Sequence, residues 1–392
     1  MTRLNLTDSA GVATDDGMVL TNITGTVTID NSAILNSPHN GITVDNNNTN
    51  MAAFNLTNSL VSCASGQPCQ PSGSIGNDGL LLVMRGTSVL TKGLVSGSTF
   101  SGHRALGVQI QTNDTARIGV NSGVPATFVL DANNSFVIQS NTFTGNGQGI
   151  DVATSQVSNM TFQILTNTVT GIDTSGGGNG SATAINVFTA AGADTGPAAH
   201  SFVGKIDGNI IGTQGVKDSG SGFGNGIRVV VQGQNTRGVV TVNNNTVRET
   251  AIATPLNFYG QNGAAAAGTL TARFKITNNT APLPSGTNVD VCGVNTPCID
   301  AVLFILADEG NPVCNVITGN NLFDATAMNG AADIYLAERV GPPVGAQLTV
   351  EGTGGSNSTY LQANNTLAGA SKFLDEGANT SQVAGGSCGT FP

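Results

Sequence analysis

The chain has 392 residues, with 14 Lys+Arg against 24 Asp+Glu, 3 His, no Trp and a net charge of -10. Charged residues make up 10%, against roughly 25% in an ordinary soluble domain, while Gly supplies 53 positions, Asn 43 and Thr 47. This excludes a nucleic-acid binder, which needs a basic stripe, disfavours a helical protein, which would be rich in Ala, Leu, Glu and Lys, and disfavours disorder, since 39% of residues are hydrophobic.

In chain order, residues 1–16 read as an incomplete first coil with no signal-peptide pattern. Beyond it one phrase recurs: apolar, two small polar residues, Asn, a small polar residue, apolar. It appears as Ile138-Gln-Ser-Asn141-Thr-Phe143, Ile164-Leu-Thr-Asn167-Thr-Val169, Ile206-Asp-Gly-Asn209-Ile-Ile211, Val242-Asn-Asn-Asn245-Thr-Val247, Ile276-Thr-Asn-Asn279-Thr-Ala281 and Ile317-Thr-Gly-Asn320-Asn-Leu322. Looser copies lie around Asn31, Asn58 and Ser98. A second phrase follows each: Gly41-Ile-Thr-Val44, Gly149-Ile-Asp-Val152, Ala184-Ile-Asn-Val187, Gly226-Ile-Arg-Val229, Ala301-Val-Leu-Phe304 and Ala332-Asp-Ile-Tyr-Leu336. A third alternating stretch precedes the next Asn, as in Ala126-Thr-Phe-Val-Leu130 and Gly238-Val-Val-Thr-Val242.

Each repeat therefore predicts three short strands, and alternation buries one face of each. The connections are too long and irregular for tight hairpins. If the chain coils instead, equivalent strands of successive repeats pair in parallel and every repeat covers its neighbour. The expected fold is all-β: one right-handed parallel β-helix of about ten three-strand coils, a rod roughly 48 Å long at ~4.8 Å per step. A β-sandwich would show neither a fixed order of three strand types nor a recurrent Asn. Asn141, Asn167, Asn209, Asn245, Asn279 and Asn320 are expected at sharp turns of positive φ, their amides stacked in a ladder along the axis. Phe143, Phe188, Phe258 and Phe304 are expected in inward stacks. Extra residues, at 62–77, 114–125, 174–182, 190–199, 213–225 and 282–297, are assigned to turns.

Cys63 and Cys69 bracket CASGQPC, and Cys292 and Cys298 bracket CGVNTPC, with the same spacing; Cys314 and Cys388 are left as a long-range pair. A metal site would want two-residue spacing plus His or further Cys. Three disulfides are expected, in an oxidising compartment. Near the C-terminus, Ser356 or Asn357 reads as the N-cap of a short helix, and Asn364 as a further ladder position. A C-terminal coil and capping segment is assigned to 342–392 after the β-helix of 1–341, because an open last coil would expose its edge.

With Asn141-Thr-Phe-Thr-Gly145, Asn167-Thr-Val-Thr-Gly171, Val313-Cys-Asn-Val-Ile-Thr-Gly-Asn320, Ala332-Asp-Ile-Tyr-Leu-Ala-Glu-Arg339 and Leu361-Gln-Ala-Asn-Asn365, the chain resembles secreted bacterial right-handed parallel β-helix repeat proteins, a non-catalytic surface-protein branch of the pectate-lyase-like solenoids. The resemblance covers essentially the whole chain and implies export and fold rather than a chemistry.

Pectate lyases, polygalacturonases and phage tailspikes share such a fold, so an enzyme has to be argued from residues. Glycoside hydrolysis needs carboxylates gathered on one face, and the adjacent pair Asp15-Asp16 stands in the incomplete first coil. Asp151 and Arg228 occupy outward sites of equivalent strands about 9.6 Å apart; they are the weak catalytic candidates. His39, His103 and His200 show neither metal spacing nor a nucleophile partner. Calcium has only Asp300 and Asp308-Glu309 to use, without a dense acidic loop, so no cofactor is expected. The expected role is an extracellular or cell-surface structural or adhesive β-solenoid, a stalk or an end-to-end fibre protomer, without catalytic activity. Its expected partners are itself or surface glycans, with no nucleic acid and no membrane insertion, since no run of 18 apolar residues occurs. The alternative is a polysaccharide lyase or glycoside hydrolase acting on acidic glycans through a strand-face cleft.

Overall fold

Alternating β-branched and polar residues favour extended chain with one face buried. The computed structural model describes residues 4–7, 15–64, 77–119, 130, 133–172, 182–189, 201–216, 218–222, 224–233, 235–250, 254–261, 270–282, 301–308, 312–323, 332–339, 347–353, 356–367, 373–375 and 380–392. Within a rung the order is a short strand, such as Thr142–Thr144, a second strand, such as Gln148–Thr154, and a third, such as Asn159–Leu165. Equivalent strands pair in parallel from rung to rung, in sheets of eleven, eleven and twelve strands. This is the expected right-handed parallel β-helix. The described residues form eleven rungs where about ten were anticipated, because the first and last, such as Asn5–Thr7 and Phe373–Asp375, lack the full sequence phrases.

The core is one column of inward side chains, among them Val44, Phe100, Phe143, Ile150, Phe162, Phe258 and Phe274. Phe100 and Phe143, register partners in the first sheet, stack with centroids 5.1 Å apart and planes within 9°. Phe143 and Phe258 belong to this column, as expected, but Phe188 and Phe304 do not; Phe304, 2% exposed, is buried in a second cluster on the other face of the sheet. The register pairs Leu303 with Leu256 and Phe304 with Asn257, one residue off the alignment of Ala301-Val-Leu-Phe304 with Gly149-Ile-Asp-Val152. A one-residue slip turns every side chain to the opposite face. Phe188 likewise aligns with outward Ala153 and Val230.

Each ladder Asn follows the corner between the third and first sheets. Its backbone N–H and its Nδ2 both donate to Oδ1 of the Asn one rung on: Asn141 to Asn167 (3.0 and 3.0 Å), Asn167 to Asn209 (2.9 and 3.0 Å), Asn209 to Asn245 (3.0 and 2.9 Å), Asn245 to Asn279 (3.0 and 2.9 Å) and Asn279 to Asn320 (2.9 and 3.0 Å). Nδ2 also donates to a carbonyl of the rung before, as Asn209 does to Ile164 (2.9 Å). The six are at most 1% exposed. The ladder continues toward the N-terminus in serine: Ser32 N–H donates to Ser59 Oγ, Ser59 N–H to Ser98 Oγ, and Ser98 N–H to Asn141 Oδ1.

Positive φ falls not on the ladder Asn, as expected, but on the residue before it: Ser140 (55°), Thr166 (54°), Gly208 (69°), Asn244 (55°), Asn278 (56°) and Gly319 (71°). The left-handed residue bends the chain, and the next side chain then points inward to stack. Asn31 and Asn58 are therefore corner residues ahead of Ser32 and Ser59. At the other end the rung belongs to Asn365, which accepts from Asn320 N–H (3.0 Å) and Nδ2 (2.9 Å). Asn364 instead ends the helix Asn357–Asn364, which is capped by Ser356 accepting from Thr359 N–H. This helix is not long and apolar enough to cross a membrane.

One insertion lies within a strand and not, as expected, in a turn. Arg117–Ile118 and Phe136–Gln139 both pair with Val89–Ser96 and Asn159–Leu165, so residues 119–135 interrupt a third-sheet strand. The strand read at Ala126–Leu130 lies, apart from Leu130, outside the described residues. Thr161 Oγ1 donates to the Asn134 carbonyl (2.7 Å) and Gln163 Nε2 to Ser135 Oγ (2.9 Å), so Asn134 and Ser135 lie against the outer face of the third sheet.

Cys314 and Cys388 form the expected long-range disulfide, with Cα atoms 5.5 Å apart. Cys63 is also disulfide-bonded; Cys69, Cys292 and Cys298 lie outside the described residues. The three sheets run on beyond the helix through Thr366–Leu367, Phe373–Asp375 and Ser381–Val383.

Candidate ligand-binding face of the second sheet

The inward residues of each second strand are apolar, as Ile150 and Val152 are, and the residue between them faces out. Parallel register carries that outward position straight along the rod: Gln109, Asp151, Asn186, Arg228, Asn257, Phe304 and Tyr335 are successive partners, one rung and ~4.8 Å apart. Asp151 and Arg228 are therefore brought into one row, two rungs apart as the sequence spacing implies. They do not pair directly, because Asn186 stands between them.

The row is hydrogen-bonded end to end at its polar half. Gln109 Nε2 donates to Asp151 Oδ2 (3.3 Å), Asn186 Nδ2 donates to Asp151 Oδ1 (2.7 Å), and Arg228 Nη1 donates to Asn186 Oδ1 (3.2 Å). Asp151 is 3% exposed and Asn186 5%. Burial raises the Asp151 carboxyl to about 6, against the lowering pull of the Asn186 and Gln109 bonds and the Arg228 charge. Burial likewise lowers the Arg228 guanidinium from its ordinary value, opposed by Tyr259 and Asp151.

The other half is aromatic. Arg228 Cζ lies 5.7 Å from the Tyr259 ring centroid, a cation–π distance. Tyr259 and Phe304 meet at 5.6 Å and 65°, and Phe304 and Tyr335 at 5.1 Å and 68°. These edge-to-face contacts belong to a small apolar cluster separate from the main core. Asn257 Nδ2 donates to Asn225 Oδ1 (2.9 Å) and to the Tyr259 hydroxyl (3.3 Å), fixing the base of the aromatic half.

Sequence inspection singled out Asp151 and Arg228 but missed Gln109, Asn186, Phe304 and Tyr335. The signal for the first two was present, since each is the third residue of its Gly/Ala-Ile/Val-x-Ile/Val phrase. The aromatic pair was hidden by the register slip described above.

The other candidates are dispersed. His103 is 4% exposed, its Nε2 lies 3.1 Å from the Val61 carbonyl, and burial lowers its pKa to about 4, so it is a neutral core residue. His39 Nδ1 contacts Asp16 Oδ1 at 2.5 Å in the first rungs. Asp78, 3% exposed, accepts the Leu106 N–H (3.0 Å); burial above all, with the Asp151 charge, raises it to about 7. His200, Asp300 and Glu309 lie outside the described residues. Among the described residues no three His, Cys, Asp or Glu gather as a metal site would require.

The row thus gathers carboxamides, a carboxyl, a guanidinium and ring edges, largely buried with Asn257 at 5% and Phe304 at 2% exposed, the kinds of group that meet hydroxyl-rich ligands with apolar ring faces. Compared with known proteins, the chain matches no family model, no curated protein and no solved structure.

Proposed function

We propose that the chain is an extracellular adhesive β-solenoid that holds a saccharide strand along the outward face of its second sheet. The observation that carries this is the row from Gln109 through Asp151, Asn186, Arg228 and Asn257 to Phe304 and Tyr335, with Tyr259 beside it. One polar or stacking position per ~4.8 Å rung suits an extended glycan, whose successive sugars repeat on a similar scale. The uninterrupted ladder makes the body a stiff stalk, and the Cys314–Cys388 disulfide supports an oxidising location. Calorimetry against neutral and acidic oligosaccharides tests the reading. Tyr259→Ala and Asn186→Ala should each weaken binding at least tenfold while leaving the unfolding midpoint within a few degrees. Failure of every glycan to bind would overturn it.

A catalytic reading is favoured by one observation: a carboxyl at about 6 stands where a general acid operates near neutrality. Release of reducing ends or unsaturated uronates that disappears in Asp151→Asn would establish it over simple holding.

A further inference from the structure

The outer face of the third sheet carries a second feature, unconnected with the saccharide row. After Ser381–Val383 the chain turns, with Ser387 N–H donating to Ala384 and Gly389 N–H to Gly386, and runs back across earlier rungs. Glu351 accepts the Gly386 N–H (2.6 Å) and the Cys388 N–H (3.0 Å). Cys388 is bonded to Cys314, one rung further back. Gly389, at φ 76°, presses on Arg273, where a Cβ would come within 2.6 Å of Nη1. Finally the Pro392 main-chain oxygen accepts from Thr241 Oγ1 (2.9 Å). Residues 384–392 are thus a strap over the third-sheet strands of four rungs.

The outer face where the strap ends is cationic. Lys205, Thr241 and Lys275 are register partners on successive rungs, with Arg237 and Arg273 outward on the same strands. The strands Ser201–Asp207, Arg237–Asn243 and Thr271–Thr277 hold four bases and one acid, Asp207, in a chain where acids outnumber bases 24 to 14. Asp207 is shared between Lys205 Nζ (2.7 Å) and Asn243 Nδ2 (2.9 Å). Arg237 Nη1 is buried without a hydrogen-bond partner, and burial together with the Arg273 charge lowers its pKa. Like charges held this close repel, and Asp207 is the one acid on these three strands.

We propose that this strip is an oxyanion seat and that residues 384–392 are its guard. Sulfate, phosphate or carboxylate groups carried on a polyanion bind the Thr241 hydroxyl, Lys205, Arg273 and Lys275 where the Pro392 main-chain oxygen now lies. Two anchors outside the seat hold the guard closed, the Glu351 carboxylate and the Cys314–Cys388 disulfide.

Glu351→Ala protein treated with a dithiol, which takes the disulfide to two thiols, removes both anchors. Dextran sulfate and neutral dextran of equal length serve as probes, titrated at low salt beside the oxidised wild type. The expected result is faster exchange of the Gly386 and Cys388 amides and dextran sulfate binding about tenfold tighter. That gain should fade with added salt, and neutral dextran should show none. In the same background Arg273→Gln with Lys275→Gln should abolish it. Faster exchange without tighter dextran sulfate binding would overturn the seat. Unchanged exchange would overturn the guard. A gain that survives Arg273→Gln with Lys275→Gln would place binding elsewhere and also overturn the proposal.

Discussion

Removing one ladder amide from the middle of the rod should unlock two rungs at once. Asn209 is fully buried. Its Oδ1 accepts the Asn167 N–H (2.9 Å) and Nδ2 (3.0 Å), and its Nδ2 donates to Asn245 Oδ1 and the Ile164 carbonyl (2.9 Å each). Asn209→Ala strands the Asn167 N–H and one Nδ2 proton. A buried donor left unmade costs about 1–3 kcal/mol, so the pair and the small void should cost about 3–5 kcal/mol. Serine should cost less. In the native serine rungs Ser98 Oγ accepts the Ser59 N–H (3.1 Å) while donating within its own rung to the Ser96 carbonyl (3.1 Å). Asn209→Ser therefore keeps an acceptor for the Asn167 backbone and should cost about half as much as alanine. Urea unfolding followed by circular dichroism supplies the energies, and hydrogen exchange at the Asn167 amide locates them, since a solenoid couples mainly nearest neighbours. An alanine cost below about 1 kcal/mol, or serine no better than alanine, would refute the ladder as a source of stability.

Three further outcomes follow from the same structure. Thr166 holds φ at 54°, where a side chain other than Gly, Asn or Asp is strained by roughly 1–2 kcal/mol; Thr166→Asn, matching Asn244 and Asn278 at the same corner, should raise stability by about 0.5–1 kcal/mol, and an unshifted urea midpoint would contradict it. Asp78 is raised from 3.8 to about 7, so the folded state binds its proton more tightly: that contribution is full below pH 3.8 and lost as pH rises through about 7. Asp78→Asn should gain up to about 4 kcal/mol relative to wild type at pH 8 and nearly nothing at pH 3, measured as the difference between the two chains because His103, lowered to about 4, has the opposite slope between pH 6.5 and 4. Reducing Cys314–Cys388, which closes a separation of 74 residues, should cost up to about 4.5 kcal/mol by chain entropy; equal thermal midpoints for reduced and oxidised protein would contradict a stapling role.

How much was legible depended on whether a residue type is demanded locally. The ladder asparagines stood out because the site must both donate and accept along the axis in a dry core, which a carboxamide does and few other side chains do. The corner before them was misplaced by one residue, because Gly, Asn, Ser and Thr all occur there and no single type marks it. Residues 114–125 read as a turn because a strand split in two leaves only two residues, Arg117 and Ile118, ahead of the break.

Composition, in the end, was fixed by architecture: outward positions are filled by Asn, Thr and Ser because copies stacked every ~4.8 Å tolerate neutral groups and penalise like charges. Sequence alone therefore determined the coil, its three strand types and the stacking residues, all of which obey a local period. It also placed Asp151 and Arg228 on the same outward position. Tertiary structure alone decided that Asn186 bridges them, that Phe304 and Tyr335 face outward beside Tyr259, and that the last nine residues strap the third sheet. Those outcomes depend on register between distant rungs, and a shift of one residue, invisible in any single repeat, exchanges core for surface.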